Sequence, residues 1–444
     1  MKIVIAGAGD VGSHLAKLLT HEEQDILVID NDPAKLSMLD ANYNLMTLQG
    51  SPTSFRTLRE ARIYDCDLFI GLTPSESDNI VACAIAKKLG AKTTVGRINS
   101  YDFMEDNNHR LVQAMGVDRL IYPEYLAAQE IITSLRLTWV RHWFEIHDGE
   151  IIVVGVKLHE SAPIAGQQLK DFASTNHNFH VSAIKRNHET IIPRGADTLM
   201  ADDIVYFTCT RQHIGDLLSL TGKTNHEVKK VMIMGGGKIA IRVAALAGDQ
   251  FRIKIIDNDP VTCSLLPEKC PNAEIIMGDA RDIDLLLEEG IEQYDAFIAL
   301  TGSSEANILT CLTAKELGVP KTVAEVENIQ YISQAEGLNI GTIINKKLLA
   351  SSSIFQLLLD ADSSTSKCLA LSDAEVAEIE VKKGSKVTTA PVKDLRLSKD
   401  MTIAGLIRNG HGMLVSGLTT MQPGDRAVIF SLAGALHKVE RLFN

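Results

Sequence analysis

The chain has 444 residues, 45% of them hydrophobic and 23% charged, with a net charge of −12. That length exceeds what one core can serve and predicts roughly three or four domains. The acidic balance argues against a nucleic-acid partner and against general attraction to anionic lipid. No apolar run approaches the roughly 20 residues of a membrane-spanning helix. The N-terminal apolar run passes straight into glycines, unlike a signal peptide. Seven scattered cysteines (Cys66, Cys83, Cys209, Cys263, Cys270, Cys311, Cys368) form no CxxC pair. They are expected to be reduced and buried as small hydrophobes in a cytoplasmic protein.

From Lys2, "KIVIAGAGDVGSHLA" reads as strand, glycine turn and helix. The strand-like runs "DILVID", "NLMTLQG", "DLFIGLT" and "TTVGRI" follow. Helical patterns separate them, at about residues 12–20, 33–40, 53–60 and 78–89. Apolar runs without alternation suit strands buried on both faces, hence a doubly wound parallel sheet. From about residue 145 to 222 the helical period fades, and "EIIVVGVKL", "HVSAIKRN" and "DIVYFTC" predict a small α+β unit. "TGKTNHE" then reads as a junction, and "DADSSTSK" after Leu359 as another.

The pattern then starts again. In "VMIMGGGKIAIRVA", Gly235 takes the place of Gly7, and at that same offset "GSPTS" from Gly50 falls on "GDARD" from Gly278. "DLFIGLTPSESDNIVAC" falls on "DAFIALTGSSEANILTC", pairing Thr73 with Thr301 and Asn79 with Asn307. Further on the offset is slightly shorter, and there "IKRN" from Ile184 meets "LIRN" from Leu406. The sequence is one two-part module duplicated in tandem. The expected segments are 1–140 (Rossmann-like), 141–225 (small α+β), 226–362 (Rossmann-like) and 363–444 (small α+β).

Gly7-Ala8-Gly9-Asp10-Val11-Gly12 is a GxGxxG turn placed between a strand and a helix. The glycines allow a tight turn, a close phosphate and close helix packing, and the helix start offers free N–H groups to anionic oxygen. Asp30 ends the second strand, where a carboxylate accepts ribose hydroxyls and repels a 2′-phosphate. Asp10 either bonds a ribose or phosphate-bound water, or merely begins the helix. The second turn, Gly235-Gly236-Gly237-Lys238-Ile239-Ala240, is followed by Asp257 in the same role. Arg97 ends the fifth strand, where a guanidinium can clamp a distal phosphate, and Glu325 holds that place in the second copy. Thr73 and Thr301 sit where a ligand would pass, whereas Ser75 and Ser303 read as helix caps. His142 and His147 lack partners at metal-ligand spacing and read as structural, so no metal site is expected.

Neither copy carries GxSxG, a paired-carboxylate motif or a Walker lysine, and each Rossmann-like unit is followed by only about 80 residues. Two nucleotide pockets without a catalyst suit a sensor rather than an enzyme. The alternatives are an NAD-dependent oxidoreductase and a regulator of a cation/proton antiporter.

With "VIDNDPAKL", "LQGSPTS", "GLTPSESDNIVAC" and "GRINS", the chain resembles the TrkA family throughout its length. These are cytosolic nucleotide-binding regulatory subunits of bacterial Trk potassium-uptake systems. The resemblance implies tandem RCK (KTN) Rossmann lobes, each followed by a TrkA-C domain. It implies binding of NAD(H), and of ATP or ADP, and no catalysis. It also implies a homo-oligomeric ring, a tetramer, held to the inner face of the membrane by a TrkH-type potassium-translocating subunit. By position, the ligand contacts are Gly7, Ala8, Gly9, Asp10, Val11, Asp30, Ser51, Thr73, Pro74 and Arg97. In copy two they are Gly235, Gly236, Gly237, Lys238, Ile239, Asp257, Asp279 and Thr301. Glu325 departs from an arginine, and Asp279 stands where copy one has Ser51. The family's helix after each sheet crosses to the paired lobe, and the stretches 122–137 and 345–359 are the candidates.

Overall fold

The protein is represented by a computed structural model that describes residues 1–20, 24–187, 189–361, 367–371, 374–395, 397–432 and 442–443. The core of the "DADSSTSK" junction, 362–366, lies outside the described residues. Contacts divide the chain into two compact units, Met1–Ala128 with Asn345–Ala361, and Gln129–Ile344 with Asp362–Asn444.

The first unit holds β1 (Lys2–Ala6), β2 (Asp25–Asp30), β3 (Met46–Gln49), β4 (Leu68–Gly71), β5 (Thr93–Arg97) and β6 (Arg119–Ile121). They are joined by α1 (Asp10–Thr20), α2 (Pro33–Asn42), α3 (Phe55–Glu60), α4 (Glu76–Leu89) and α5 (Asp106–Met115). All strands pair in parallel, in the order β3-β2-β1-β4-β5-β6. Ile3 to Ile5 of β1 and Leu68 to Ile70 of β4 are fully buried. Such unbroken apolar runs need cover on both faces, which the helices supply. The order reverses between β1 and β4, which opens a crevice at the carboxyl ends of those strands. The sixth strand was not expected, because so short a run carries no readable period. Helix starts follow local chemistry: Asp32 accepts from the Ala34 N–H ahead of α2, and Ser75 from the Asp78 N–H ahead of α4.

The second unit begins inside α6 (Pro123–Arg136). In its last turns Ser134 Oγ lies 2.9 Å from Thr342 Oγ1, and Arg136 donates to Gln250 Oε1 at 2.7 Å. A small antiparallel sheet follows, with β7 (His142–Ile146), β8 (Ile151–Lys157), β9 (His180–Arg186), β10 (Glu189–Ile191) and β11 (Ile204–Cys209). It carries α7 (Leu169–Thr175) and α8 (Ile214–Thr221). The second parallel sheet has β12 (Lys230–Met234), β13 (Arg252–Asp257), β14 (Ala273–Met277), β15 (Ala296–Ala299), β16 (Lys321–Glu325) and β17 (Thr342–Ile344). Its order, β14-β13-β12-β15-β16-β17, repeats the first. Its helices are α9 (Lys238–Ala247), α10 (Pro260–Lys269), α11 (Ile283–Glu288), α12 (Ser304–Glu316) and α13 (Ile329–Gly337). Ser303 caps α12 through the Ala306 N–H.

The next helix, α14 (Lys346–Ala361), belongs to the first unit and packs along α1, with Ala350, Ser351 and Ile354 fully buried. Thus α14 lies against the first sheet's helices, and the end of α6 against the second sheet, as the crossing-helix expectation required. The last sheet comprises β18 (Lys367–Leu371), β19 (Ala374–Glu380), β20 (Met401–Arg408), β21 (His411–Leu414) and β22 (Arg426–Leu432). Its order, β18-β19-β22-β20-β21, matches β7-β8-β11-β9-β10 strand for strand. The two small sheets share one apolar core, with Ile151, Val153 and Tyr206 against Val376, Val428 and Phe430.

His142 stacks between Phe144 and Tyr206, and burial pushes its imidazole down to about 4, so it is a packed neutral ring. Burial pushes the thiols of Cys66, Cys83, Cys209 and Cys311 up to about 12. The side chain of Cys368 lies outside the described residues. Among the described residues, no helix is long and apolar enough to cross a membrane.

Each small sheet is tied by a bidentate pair, at matching places of the repeat. Arg186 donates to Asp203 at 2.7 and 2.6 Å, and Arg408 to Asp425 at 2.8 and 2.7 Å. Burial alone would raise the Asp425 carboxyl, but Arg408 and the Gln422 N–H outweigh it and hold it below the usual carboxylate range. A depressed folded pKa stabilises above the unfolded value of about 3.9, and the contribution is lost as pH falls through the folded pKa. Arg408→Ala should therefore cost about 3 kcal/mol in urea denaturation at neutral pH, with a smaller penalty in acid. An unchanged midpoint would contradict this account of the pair.

Candidate functional site

The first glycine turn is held from three sides. Gly7 has φ +118°, and a Cβ there would lie 2.8 Å from the Leu72 carbonyl carbon and 2.9 Å from the Thr73 nitrogen, so only glycine fits. Its N–H continues the sheet to the Ile29 carbonyl at 2.8 Å. The Ala8 N–H donates to Asp30 Oδ2 at 2.6 Å, and the Asp32 N–H to Asp30 Oδ1 at 2.9 Å. Gly50, just before Ser51, donates its N–H to the Asp30 carbonyl at 3.0 Å. Gly12 is required by packing, since its Cβ would meet the Gly7 oxygen at 1.9 Å. Gly9 differs: its φ is ordinary, and a Cβ there would have nothing within 4 Å. The fold does not need glycine at that position.

Val11 is buried, so what it offers a ligand is backbone. Asp10, the first residue of α1, pairs at 2.7 Å with Lys347 Nζ from α14. Ser51 Oγ lies 2.9 Å from Thr53 Oγ1.

The other wall is organised by Asn79, a residue that the repeat marks but that carries no ligand motif. Asn79, fully buried on α4, accepts from the Thr73 N–H at 2.8 Å and from its hydroxyl at 2.8 Å. Its amide donates to the carbonyls of Thr73 at 3.0 Å and Arg97 at 2.9 Å. It thereby staples the end of β4 to the end of β5. The Thr73 hydroxyl proton is committed inside the protein, so toward a ligand that oxygen is an acceptor. The Pro74 carbonyl accepts from Asn99 at 2.9 Å. Arg97 stands at the crevice edge with its Nε buried and without a hydrogen-bond partner.

The second turn repeats these contacts closely. Gly235 has φ +99°, and a Cβ there would lie 2.9 Å from the Leu300 oxygen. The Gly236 N–H donates to Asp257 Oδ2 at 2.6 Å, and the Asp259 N–H to Oδ1 at 2.8 Å. Gly237 precedes α9 with no side-chain cap, and again a Cβ would have nothing within 4 Å. Asn307 bonds the Thr301 N–H at 3.0 Å and hydroxyl at 2.7 Å, and donates to the Glu325 carbonyl at 2.8 Å. Ile239 is buried, Lys238 is exposed at the start of α9, and Glu325 is buried at the edge where copy one has Arg97. Asp279 is engaged by Arg281 at 2.5 Å.

Each sheet therefore gathers its predicted residues along one edge. The edge comprises a glycine turn at a helix start, a carboxylate at the end of the second strand and a stapled threonine. Only the first has a guanidinium at its far end. The repeat itself carried the signal for the asparagines: the same amide recurs at one offset, each time ahead of an apolar run, in "NIVAC" and "NILTC". Among the described residues, no cluster of His, Cys, Asp or Glu could hold a metal ion.

Both halves match known families: the TrkA-N domain at residues 3–123 and 231–346, and the TrkA-C domain at 153–222 and 376–444. The Trk system potassium uptake protein TrkA of Haemophilus influenzae is 31% identical over 100% of this chain and 98% of its own. A TrkA homolog of Archaeoglobus fulgidus is 28% identical over 100% of both. Among solved structures, the GsuK RCK domain is similar with a TM-score of 0.61 at 17% identity, covering 100% of this chain and 94% of that one. The GsuK channel bound to NAD gives a TM-score of 0.62 at 16% identity, covering 100% and 78%. These two likenesses concern the fold. With both domain types matched twice, in the order in which the sheets alternate, the chain belongs to the TrkA family.

Proposed function

We propose that the chain is a nucleotide-sensing regulatory subunit of a potassium-uptake system, without catalytic activity of its own. Its relatives' names and the NAD- and ADP-bound GsuK channels support this reading. The observation that carries it is the glycine the fold does not need. Gly9 and Gly237 hold the same place in the two copies, each with ordinary φ and open space where a Cβ would point. Glycine at that place serves close approach of a phosphate to the turn.

In this reading the adenosine ribose of NAD(H), ATP or ADP sits against Asp30 or Asp257. Each carboxylate oxygen already accepts one backbone N–H and keeps lone-pair capacity for a hydroxyl. The phosphates lie over one of the glycine turns, 7–11 or 235–239, flanked by Ser51 or Asp279 and by Thr73 with Pro74 or Thr301. The Arg97 guanidinium, at the crevice edge with its Nε buried and unmet, supplies the donors for a distal phosphate through its terminal nitrogens. The four segments 1–140, 141–225, 226–362 and 363–444 act as two lobe-and-tail modules. The subunit assembles as a tetramer, a ring of paired lobes, on the inner face of the membrane beneath a TrkH-type partner. A ligand shifts such an assembly only by its differential affinity for two ring shapes.

Gly9→Ala should leave the melting temperature essentially unchanged, because its Cβ meets open space, yet weaken NADH and ADP binding at least about tenfold in titration calorimetry. Wild-type affinity in that variant would sink the nucleotide reading of the first turn. The wild type should prefer NADH to NADPH by at least about an order of magnitude, since Asp30 repels a 2′-phosphate; equal affinities would contradict this placement. Arg97→Ala should weaken ATP roughly 10- to 150-fold while changing AMP little, the worth of a charge-assisted hydrogen bond. Glu325→Ala should weaken neither. Unchanged ATP affinity in Arg97→Ala would remove the clamp.

A further inference from the structure

Resting on that reading of the first turn, we propose that Lys347 is a further binding residue of the first nucleotide site. It is a cation carried by the second copy's last helix, which the phosphate of a bound nucleotide takes over from Asp10.

Four observations converge on it. Lys347 Nζ lies 2.7 Å from Asp10 Oδ2, at the first residue of α1, beside the glycine turn. The lysine side chain is only 18% exposed, whereas the Asp10 side chain is 75% exposed. The cation is thus set into the structure, and Asp10, with which it pairs, is the exposed and replaceable member. Asn345 fixes the start of α14 by accepting from the Lys347 N–H at 3.0 Å and the Leu348 N–H at 2.9 Å, which places Lys347 in the first helical turn. That end of a helix disfavours a cation, so the dipole of α14 does not favour a lysine there. Asp10, in contrast, sits at the favourable end of α1, where a phosphate would also be drawn.

A carboxylate and a phosphate therefore compete for the same field. The phosphate is the better match, since it can accept from the α1 N–H groups and from the ammonium together. When it binds, the Asp10–Lys347 pair is replaced by a phosphate–Lys347 pair. The ligand on the first copy then holds the helix that follows β17 of the second. In the second copy both signs are inverted at the matching places: Lys238 stands where copy one has Asp10, and Glu124 of α6 where copy two has Lys347. The competition is a property of the first turn.

Full-length protein titrated with ADP and with adenosine separates the cases. Lys347→Met should weaken ADP about tenfold and leave adenosine unchanged, because only ADP carries the phosphate. Asp10→Asn changes an exposed side chain that the fold tolerates, and it should tighten ADP about threefold or more. That gain should shrink in the double variant, where no lysine is left to release. Wild-type ADP-to-adenosine ratios in both single variants would overturn the inference while the nucleotide site stands. Failure of the wild type to bind ADP, NADH or ATP would overturn the nucleotide reading itself, and this inference with it.

Discussion

Two backbone N–H groups bound to one carboxylate hold each glycine turn in place. Asp30 takes those of Ala8 and Asp32, and Asp257 takes those of Gly236 and Asp259. The turn must bend sharply at the end of a buried strand, where water is scarce and an unmet N–H is costly. The acid at the end of the second strand meets that need and ties the first two strands' loops together. The same carboxylate is the group a ribose would meet, so the architecture and the proposed ligand site share one residue. Everything built on this edge, from the helix start to the Asn79 staple, assumes that the turn stays put.

The opposite wall is fixed by an amide rather than a charge. Asn79 and Asn307 use donor and acceptor together, which a carboxylate or an ammonium cannot do, to close the fourth-strand loop onto the end of the fifth strand. The two sites are alike up to that point and diverge beyond it. Copy one ends in an arginine with an unmet Nε, and copy two in a buried glutamate. On the proposed reading, edges that differ in charge would answer to different ligands, or to one ligand with different strength, which suits a sensor of nucleotide state.

The small sheets show what duplication preserves away from the glycine turns. Arg186–Asp203 and Arg408–Asp425 repeat with the same bidentate geometry, each carboxylate also accepting a backbone N–H from its preceding turn. The two sheets bury one another's apolar faces through Tyr206, Val428 and Phe430. A single small sheet would leave that face exposed to water, so each copy completes the core of the other.

The sequence by itself determined the duplication, the four sheets and most of their strands, because these rest on local periodicity and on repetition at fixed offsets. It also marked Gly7, Gly235, Asp30 and Asp257, whose roles follow from strand–turn–helix spacing. It did not reveal the short strands β6 and β17, which exist only through pairing with β5 and β16. Nor did it reveal that the Thr73 hydroxyl is committed to Asn79, or that Arg97 keeps an unmet donor, since both depend on which side chain lies across the crevice. That Lys347, in the second copy, reaches Asp10, near the start of the first, was decided by α14 docking on α1. Side-chain partners so far apart along the chain are set by the packing of helices on a sheet edge, and no local pattern encodes them.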